Sequence, residues 1–308
     1  MPLNTTQNAT ILLYHGVTSG VYNGLQNYSG KHVHKCVFEE QISTVASTCK
    51  PVSFKTLVEI LKSGEDLSPK TVAVTFDDCF ENVFACACPI LKKYNIPATM
   101  FVTTGFVNTN RIIWADLLEI IIGNCRHDEF VFDDLENPKK YPLRTYAEKK
   151  HAVREIKSHL KSISEEKKDK IMSNLIKDID INLLMSETDL YKNLTWAQVK
   201  NIDWDPLFEI GSHTINHRVL SLMPADEAEK EIVGSKHVLE KELGHAIDLF
   251  SYPEGQEDHY NDAIIEILKN NGFRSSPSAI YGTNAPGEDP FHLKRIMVGF
   301  NGIPFPFE

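Results

Sequence analysis

Short, nearly uninterrupted apolar runs recur along the first hundred residues and are separated by stretches with helical spacing. Thr10-Ile11-Leu12-Leu13-Tyr14, Thr71-Val72-Ala73-Val74-Thr75-Phe76 and the run 98–103 are rich in β-branched and apolar residues and read as buried strands. Apolar spacing between them predicts helices over 38–48 and 55–62, and a third helix directly after Asp77-Asp78, ending at Tyr94. Gly16, after His15, predicts a sharp change of direction where the first strand ends. Strands alternating with helices predict a parallel α/β sheet or barrel, whose sites form at the carboxyl ends of the strands.

The alternation stops at about residue 108. From 108 to 193 the pattern is mostly helical, over 114–122, 145–160 and 165–181, with one short strand at Phe130-Val131-Phe132. It resumes with Thr195 as an N-cap before Trp196, a strand over 208–211, a long amphipathic helix over 225–243 and a strand at Leu249-Phe250-Ser251-Tyr252. A helix over 260–270 and strands over 278–280 and 295–298 complete the chain. The expected organisation is one domain over 1–308 with a helical insertion at 108–193, because the motifs on either side of the insertion must meet.

Composition narrows the class. With 42% apolar and 24% charged residues in 308, the chain can bury a sizeable core, and its six cysteines fit reduced thiols. No run approaches the ~18 apolar residues of a membrane span, and Met1-Pro2-Leu3-Asn4 lacks a basic, apolar leader pattern, so the expected location is cytoplasmic. The net charge of −10 argues against nucleic-acid binding. It is unevenly spread: residues 139–170 carry eleven Lys/Arg against five Asp/Glu, a net of +6, which leaves −16 elsewhere. That basic segment is a solvated helical face, or it meets an anionic membrane surface or a nucleotide- or lipid-linked sugar phosphate.

Two features carry chemistry. Asp77 and Asp78 stand where an apolar strand ends, a point at which the chain turns and both carboxylates can reach one cavity; the alternative is a helix cap or solvated turn. His213 and His217, four apart after a strand, suit one face of a helical turn and one metal; the alternative is two surface histidines. Joined with a carboxylate, they make a His, His, Asp set that leaves coordination positions open for water and substrate.

Thr75-Phe76-Asp77-Asp78, Ser212-His213-Thr214-x-x-His217 and Phe250-Ser251-Tyr252-Pro253-Glu254-Gly255, with Leu12-Leu13-Tyr14-His15-Gly16-Val17 ahead of them, resemble the ordered motifs of the polysaccharide deacetylase family, the NodB-homology fold. The resemblance implies a distorted (β/α) barrel of seven or eight strands. It also implies a divalent metal on Asp78, His213 and His217, Asp77 as general base, and hydrolysis of an acetyl group from an N-acetylated sugar in polysaccharide or glycoconjugate biosynthesis. Zn²⁺ suits the donors, as do Co²⁺, Ni²⁺, Fe²⁺ and Mn²⁺.

The sequence departs from the family pattern in two places. A Leu-x-His element near the carboxyl end, the usual source of the general acid, is missing, and His15 is the substitute that the resemblance implies for sequences opening with Tyr-His. The Arg expected before Pro253 is missing as well, and Arg295, on the last strand, is its candidate replacement. Cys79 reads as a small buried residue beside Asp78, and Cys86-x-Cys88 has the wrong helical spacing for a shared role. Trp114 and Trp196 are either sugar-binding faces or core. The open alternatives are an O-deacetylase, a hydrolase of another amide or imide, or a barrel that binds glycans without turnover.

Overall fold

The computed structural model describes residues 7–78, 80–177 and 190–307. Cys79 and the end of the helix expected over 165–181 lie outside the described residues.

Six parallel strands form the central sheet, β1 (Thr10–Tyr14), β5 (Thr71–Phe76), β6 (Ala98–Val102), β9 (Phe208–Ser212), β10 (Pro277–Tyr281) and β11 (Leu293–Met297). Their order is β10-β11-β1-β5-β6-β9, and a seventh short strand, β4 (Lys50–Pro51), pairs with β5. The register aligns Tyr14 with Phe76 and Val102 with Ser212, so the strands end together on one side. Both faces are covered, which is why β1, β5 and β6 are wholly buried and read as continuous apolar runs.

The strand expected over 249–252 forms only two parallel bridges, Ser212 with Phe250 and Leu249 with Ser275. Ser212 N–H donates to Leu249 O and Ser251 N–H to Ser212 O, while Phe250 N–H donates to Ser275 O on the other side. The pairing is too short for a ladder, but it links β9 to the chain entering β10 and joins the two edges of the sheet. The neighbouring architecture matches the expected (β/α) barrel, with seven paired strands and this segment in the remaining place.

Local sequence explains most helices. In α2 (Phe54–Ser63) the buried residues Phe54, Leu57, Val58 and Leu61 fall at helical spacing; Ser53 caps the start, and Gly64 ends it in the left-handed conformation, φ 69°. Helix α1 (Lys35–Thr48) is also as expected. After β5 the predicted single helix is interrupted by a π-helical turn, Val83–Ala87, before α3 (Cys88–Lys93). Pro89 has no N–H to donate and its ring crowds the turn before it, so the ladder widens and Cys88 N–H donates to Val83 O.

The segment after β6 carries α4 (Trp114–Asn124), the hairpin β7 (Glu129–Phe132) and β8 (Lys139–Pro142), α5 (Tyr146–Leu160) and α6 (Glu165–Ile176). The sequence pattern gives β7 but not β8, whose Lys-Lys-Tyr-Pro turns only Tyr141 inward. A capping box of Thr145 and Glu148 starts α5, and Ala152, Val153, Ile156 and Leu160 bury one of its faces. These residues join Leu117, Leu118, Ile121 and Ile122 in a second apolar core, to which Leu25 also belongs.

Helices α7 (Trp196–Trp204), opened by a Thr195–Gln198 capping box, α8 (Ala225–Leu243) and α9 (Asp262–Asn270) flank the later strands. A further parallel pair, β2 (Gly16–Thr18) with β3 (His32–His34), escapes sequence reading because each strand has only three residues. At Gly16, where the sequence predicts a change of direction, the chain leaves the sheet of β1 and enters this separate pair. Glycine is needed there for close approach, since a Cβ would lie 2.0 Å from His32 Nδ1.

Candidate metal centre

A cavity of 730 Å³ opens at the carboxyl ends of the strands, and Asp77, Asp78, His15, His213, His217 and Arg295 all line it. Residues far apart in sequence meet because parallel strands deliver their ends to one side.

Asp77 continues the β5 ladder, its N–H donating to Tyr14 O at 3.0 Å. Asp78 then takes φ 85°, which breaks the pleat and brings the second carboxylate into the cavity. Its carbonyl accepts from Thr103 N–H, which anchors the turn to β6. Thr214 and His217 also have left-handed backbones, φ 64° and 55°. A branched residue such as Thr214 rarely adopts this conformation, which costs about 1–3 kcal/mol per residue and gathers at functional sites. The two histidines therefore converge through a loop, not the expected helical turn. Glu231 on α8 holds that loop by accepting from Ile215 N–H (3.0 Å), Asn216 N–H (2.8 Å) and the Asn216 side chain (2.7 Å).

Asp78, His213 and His217 are all buried, and one ligand atom from each lies within 4.8 Å of the others. Asp78 Oδ1 lies 3.2 Å from His217 Nε2 and 3.7 Å from His213 Nε2, yet it has no hydrogen-bond partner. His213 Nδ1 contacts Ser251 O at 2.8 Å, which assigns the proton to Nδ1 and leaves the Nε2 lone pair facing the carboxylate. A buried, unpartnered carboxylate oxygen facing imidazole lone pairs is a donor set that fits a divalent cation. Burial alone would lower the His217 pKa, but the Asp78 carboxylate outweighs it and leaves it raised. Burial works against ionised Asp78 too, and Lys31 with His217 nevertheless holds its carboxyl well below the usual range.

Asp77 and Arg295 form a fork pair: Arg295 Nη1 donates to Oδ1 at 2.9 Å and Nη2 to Oδ2 at 2.7 Å. Arg295, 1% exposed, also donates to Ser278 O, Thr75 Oγ1 and Ser251 Oγ. Ser251 Oγ in turn reaches Asp77 Oδ2 at 3.2 Å. Burial would raise the Asp77 carboxyl, but the guanidinium, helped by His213, keeps it below its ordinary 3.8. Arg295, the candidate that the resemblance put forward, is thus the guanidinium paired with Asp77. His15 packs beside Phe300, ring centroids 5.9 Å apart, and burial lowers its pKa to about 4.

Several cavity residues gave no sequence signal. Lys31 Nζ lies 2.9 Å from Asp78 Oδ2 and 3.0 Å from Asp116 Oδ2, and Asp78 and Asp116 hold its pKa up against burial. Asp116 and Glu119 come from α4, and Arg154, Lys157 and Lys161 from the region of α5, so the expected insertion supplies one wall of the cavity. Lys157 pairs with Glu119, and Lys161 with Glu254 of the Tyr-Pro-Glu-Gly motif. Tyr252 is a wall residue as well, stacked on Tyr260 at 3.9 Å. The two tryptophans are not: Trp196 is half-buried against the main core, and Trp114 lies between the two cores under Lys168. The aromatic faces at the cavity are Tyr28, Tyr252, Tyr281 and Phe300.

A sequence model of the polysaccharide deacetylase family matches residues 64–276. The chain is 38% identical over 96 residues to a poly-beta-1,6-N-acetyl-D-glucosamine N-deacetylase of Staphylococcus aureus, a match covering 30% of this chain and 31% of that protein. A protein of the same name from Staphylococcus epidermidis is 32% identical over 96 residues, 32% of its length. The matches thus span about a third of these relatives. Among solved structures, the Streptococcus pyogenes deacetylase PplD in complex with acetate superposes with a TM-score of 0.62 at 19% identity, covering 97% of this chain and 96% of that one. IcaB from Ammonifex degensii gives 0.61 at 18% identity, covering 95% and 92%. At these identities the likeness is one of fold.

Proposed function

The chain belongs to the polysaccharide deacetylase family, and on that premise we propose that it is a metal-dependent hydrolase removing acetyl groups from an N-acetylated sugar in polysaccharide or glycoconjugate biosynthesis. One observation carries the reading: the Asp78, His213, His217 donor set and the Arg295-clamped Asp77 share one cavity.

A divalent cation, Zn²⁺ or another metal suited to two imidazoles and a carboxylate, would be held by Asp78, His213 and His217 and would lower the pKa of water and polarise the acetyl carbonyl. Asp77 stays ionised because Arg295 outweighs its burial, so it accepts the proton of the attacking water. Arg295 and Ser251 fix the plane of that carboxylate, which keeps the base in register with the donor set. The Ser251 carbonyl orients His213, and Glu231 holds the loop that carries His217.

His15 is the proposed donor to the departing amine. At neutral pH it is an uncharged imidazole. To act as the acid it must first gain a proton, and if that proton is the one Asp77 takes from water, the summed charge of Asp77 and His15 is unchanged over a turnover.

The glycan-binding reading without turnover rests on the missing arginine and on the missing Leu-x-His source of the general acid; the fork that Arg295 makes with Asp77 speaks against the first of these. To test the proposal, the protein is loaded with Zn²⁺ or Co²⁺ and acetate release is followed on a panel of N- and O-acetylated oligosaccharides. Release from N-acetylated members, lost on chelation and in His217→Ala, is the expected result. Normal metal binding with no release from any member would overturn the reading, and release only from O-acetylated members would move the activity to ester hydrolysis.

A further inference from the structure

Resting on the deacetylase reading, we propose that the α5 wall of the cavity is an anion subsite, at which Arg154 binds a carboxylate or phosphate carried by the N-acetylated substrate. The wall follows from helical spacing. Ala152, Val153, Ile156 and Leu160 face the second core, which turns Arg154, Lys157 and Lys161 along the neighbouring stripe that lines the cavity.

Charge pairing separates Arg154 from the other cations. Five carboxylates and five Lys/Arg side chains line the cavity. Asp77 is taken by Arg295, Asp78 and Asp116 by Lys31, Glu119 by Lys157, and Glu254 by Lys161. Arg154 alone among these five cations has no carboxylate partner among the described residues, and it is exposed. The lining is therefore balanced before a divalent cation joins the donor set and positive afterwards. Such a cavity disfavours a cationic, already deacetylated sugar chain and favours an anionic one. A guanidinium is also the side chain whose fork matches carboxylate and phosphate oxygens.

Elsewhere in the basic segment, Lys139, Lys140, Lys167, Lys168 and Lys170 are each paired with a glutamate. Lys149 instead donates to the carbonyls of Gly123 and Cys125, and Lys150 lies over the Tyr28 ring, so, among the described residues, the cation the segment leaves free at the cavity is Arg154.

The test uses the chelated, metal-free protein, in which turnover is stopped while the Asp77–Arg295 pair stays intact, and measures equilibrium binding of three N-acetylglucosamine oligomers of equal length. One is neutral, one bears a carboxylate and one a phosphate. The expected result is about tenfold tighter binding of at least one anionic oligomer at low salt, the scale of one charge-assisted contact in a partly solvated cavity. Arg154→Gln should bring the anionic-to-neutral ratio close to one, and Arg154→Lys should restore part of it. Which anionic oligomer shows the preference separates carboxylate from phosphate. Equal binding of all three, or a preference that survives Arg154→Gln, overturns the subsite. Because binding is read without turnover, failure of the deacetylase reading appears separately, as absent acetate release from the zinc-loaded protein.

Discussion

Replacing Arg295 by Met tests the central pair of the site, because it removes the charge while roughly keeping volume. Arg295 is fully buried, and its fork supplies two of the three hydrogen bonds to the Asp77 carboxylate. Without it, burial is left to dominate at Asp77, and the carboxyl pKa should rise above the ordinary 3.8 where the native pair holds it below. Breaking a buried pair from one side costs about 3–5 kcal/mol, since the remaining charge must stay desolvated or take a proton. The stabilisation that the native pair provides is complete above pH 3.8 and disappears as pH falls through the lower folded-state value. The gap between wild type and Arg295→Met should therefore be largest at neutral pH and close below about pH 4. Urea unfolding across pH measures the first effect. In the second, the acid limb of kcat/KM for acetate release moves to higher pH in Arg295→Met. Asp77→Asn added to Arg295→Met should recover part of the lost stability, because the unpaired carboxylate is gone. A loss under about 1 kcal/mol together with an unmoved acid limb would refute the idea that Arg295 keeps Asp77 ionised.

Other outcomes follow from neighbouring contacts. Lys31→Met strips the shared cation from Asp78 and Asp116 and should destabilise the chelated protein by about 3–5 kcal/mol. The stabilisation gained on adding Zn²⁺, read by thermal unfolding, should then be larger than in wild type, as the metal takes over part of the compensation; equal gains would show that Lys31 does not act on the donor set. His15 has a folded-state pKa of about 4 against an ordinary 6.5, so the unfolded chain binds more protons between those values. Stability of the chelated protein should fall as pH drops from 6.5 to 4, and His15→Gln should flatten that slope in urea titrations. Thr195→Ala removes the acceptor of the α7 capping box and should cost about 1 kcal/mol without changing metal affinity measured by Co²⁺ absorbance.

Three of the four residues proposed to carry the chemistry were legible because each stands at or just past the end of a recognisable strand, and His217 because it follows His213 at a spacing of four. Asp77-Asp78 follows Thr71–Phe76 and His213 follows Phe208–Ser212. Arg295 was reachable only through the resemblance, which implies an arginine before Pro253 that the sequence lacks. Lys31 was not reachable: it lies in a polar loop before a three-residue strand, and nothing local shows that its ammonium meets Asp78 and Asp116. The helical turn expected at His213–His217 failed for a related reason. Spacing of four residues permits a helix, but the distant Glu231 takes up the N–H groups and the loop is left-handed at Thr214 and His217.

The sequence by itself determined the alternation of buried strands and helices, the cap at Thr195, and the presence of carboxylates and imidazoles at strand ends. These are properties of period and side-chain chemistry that act over a few residues. Only the tertiary structure decided which charges meet. The basic stretch 139–170 is a net +6 in sequence. In the folded chain most of it is spent on carboxylates, two of its lysines are locked to Glu119 and Glu254 in the cavity wall, and the Arg154 side chain there has no carboxylate partner among the described residues. Ion pairing depends on distances of a few ångströms between residues tens to hundreds of positions apart, and those distances exist only once the strand ends and the insertion share one cavity.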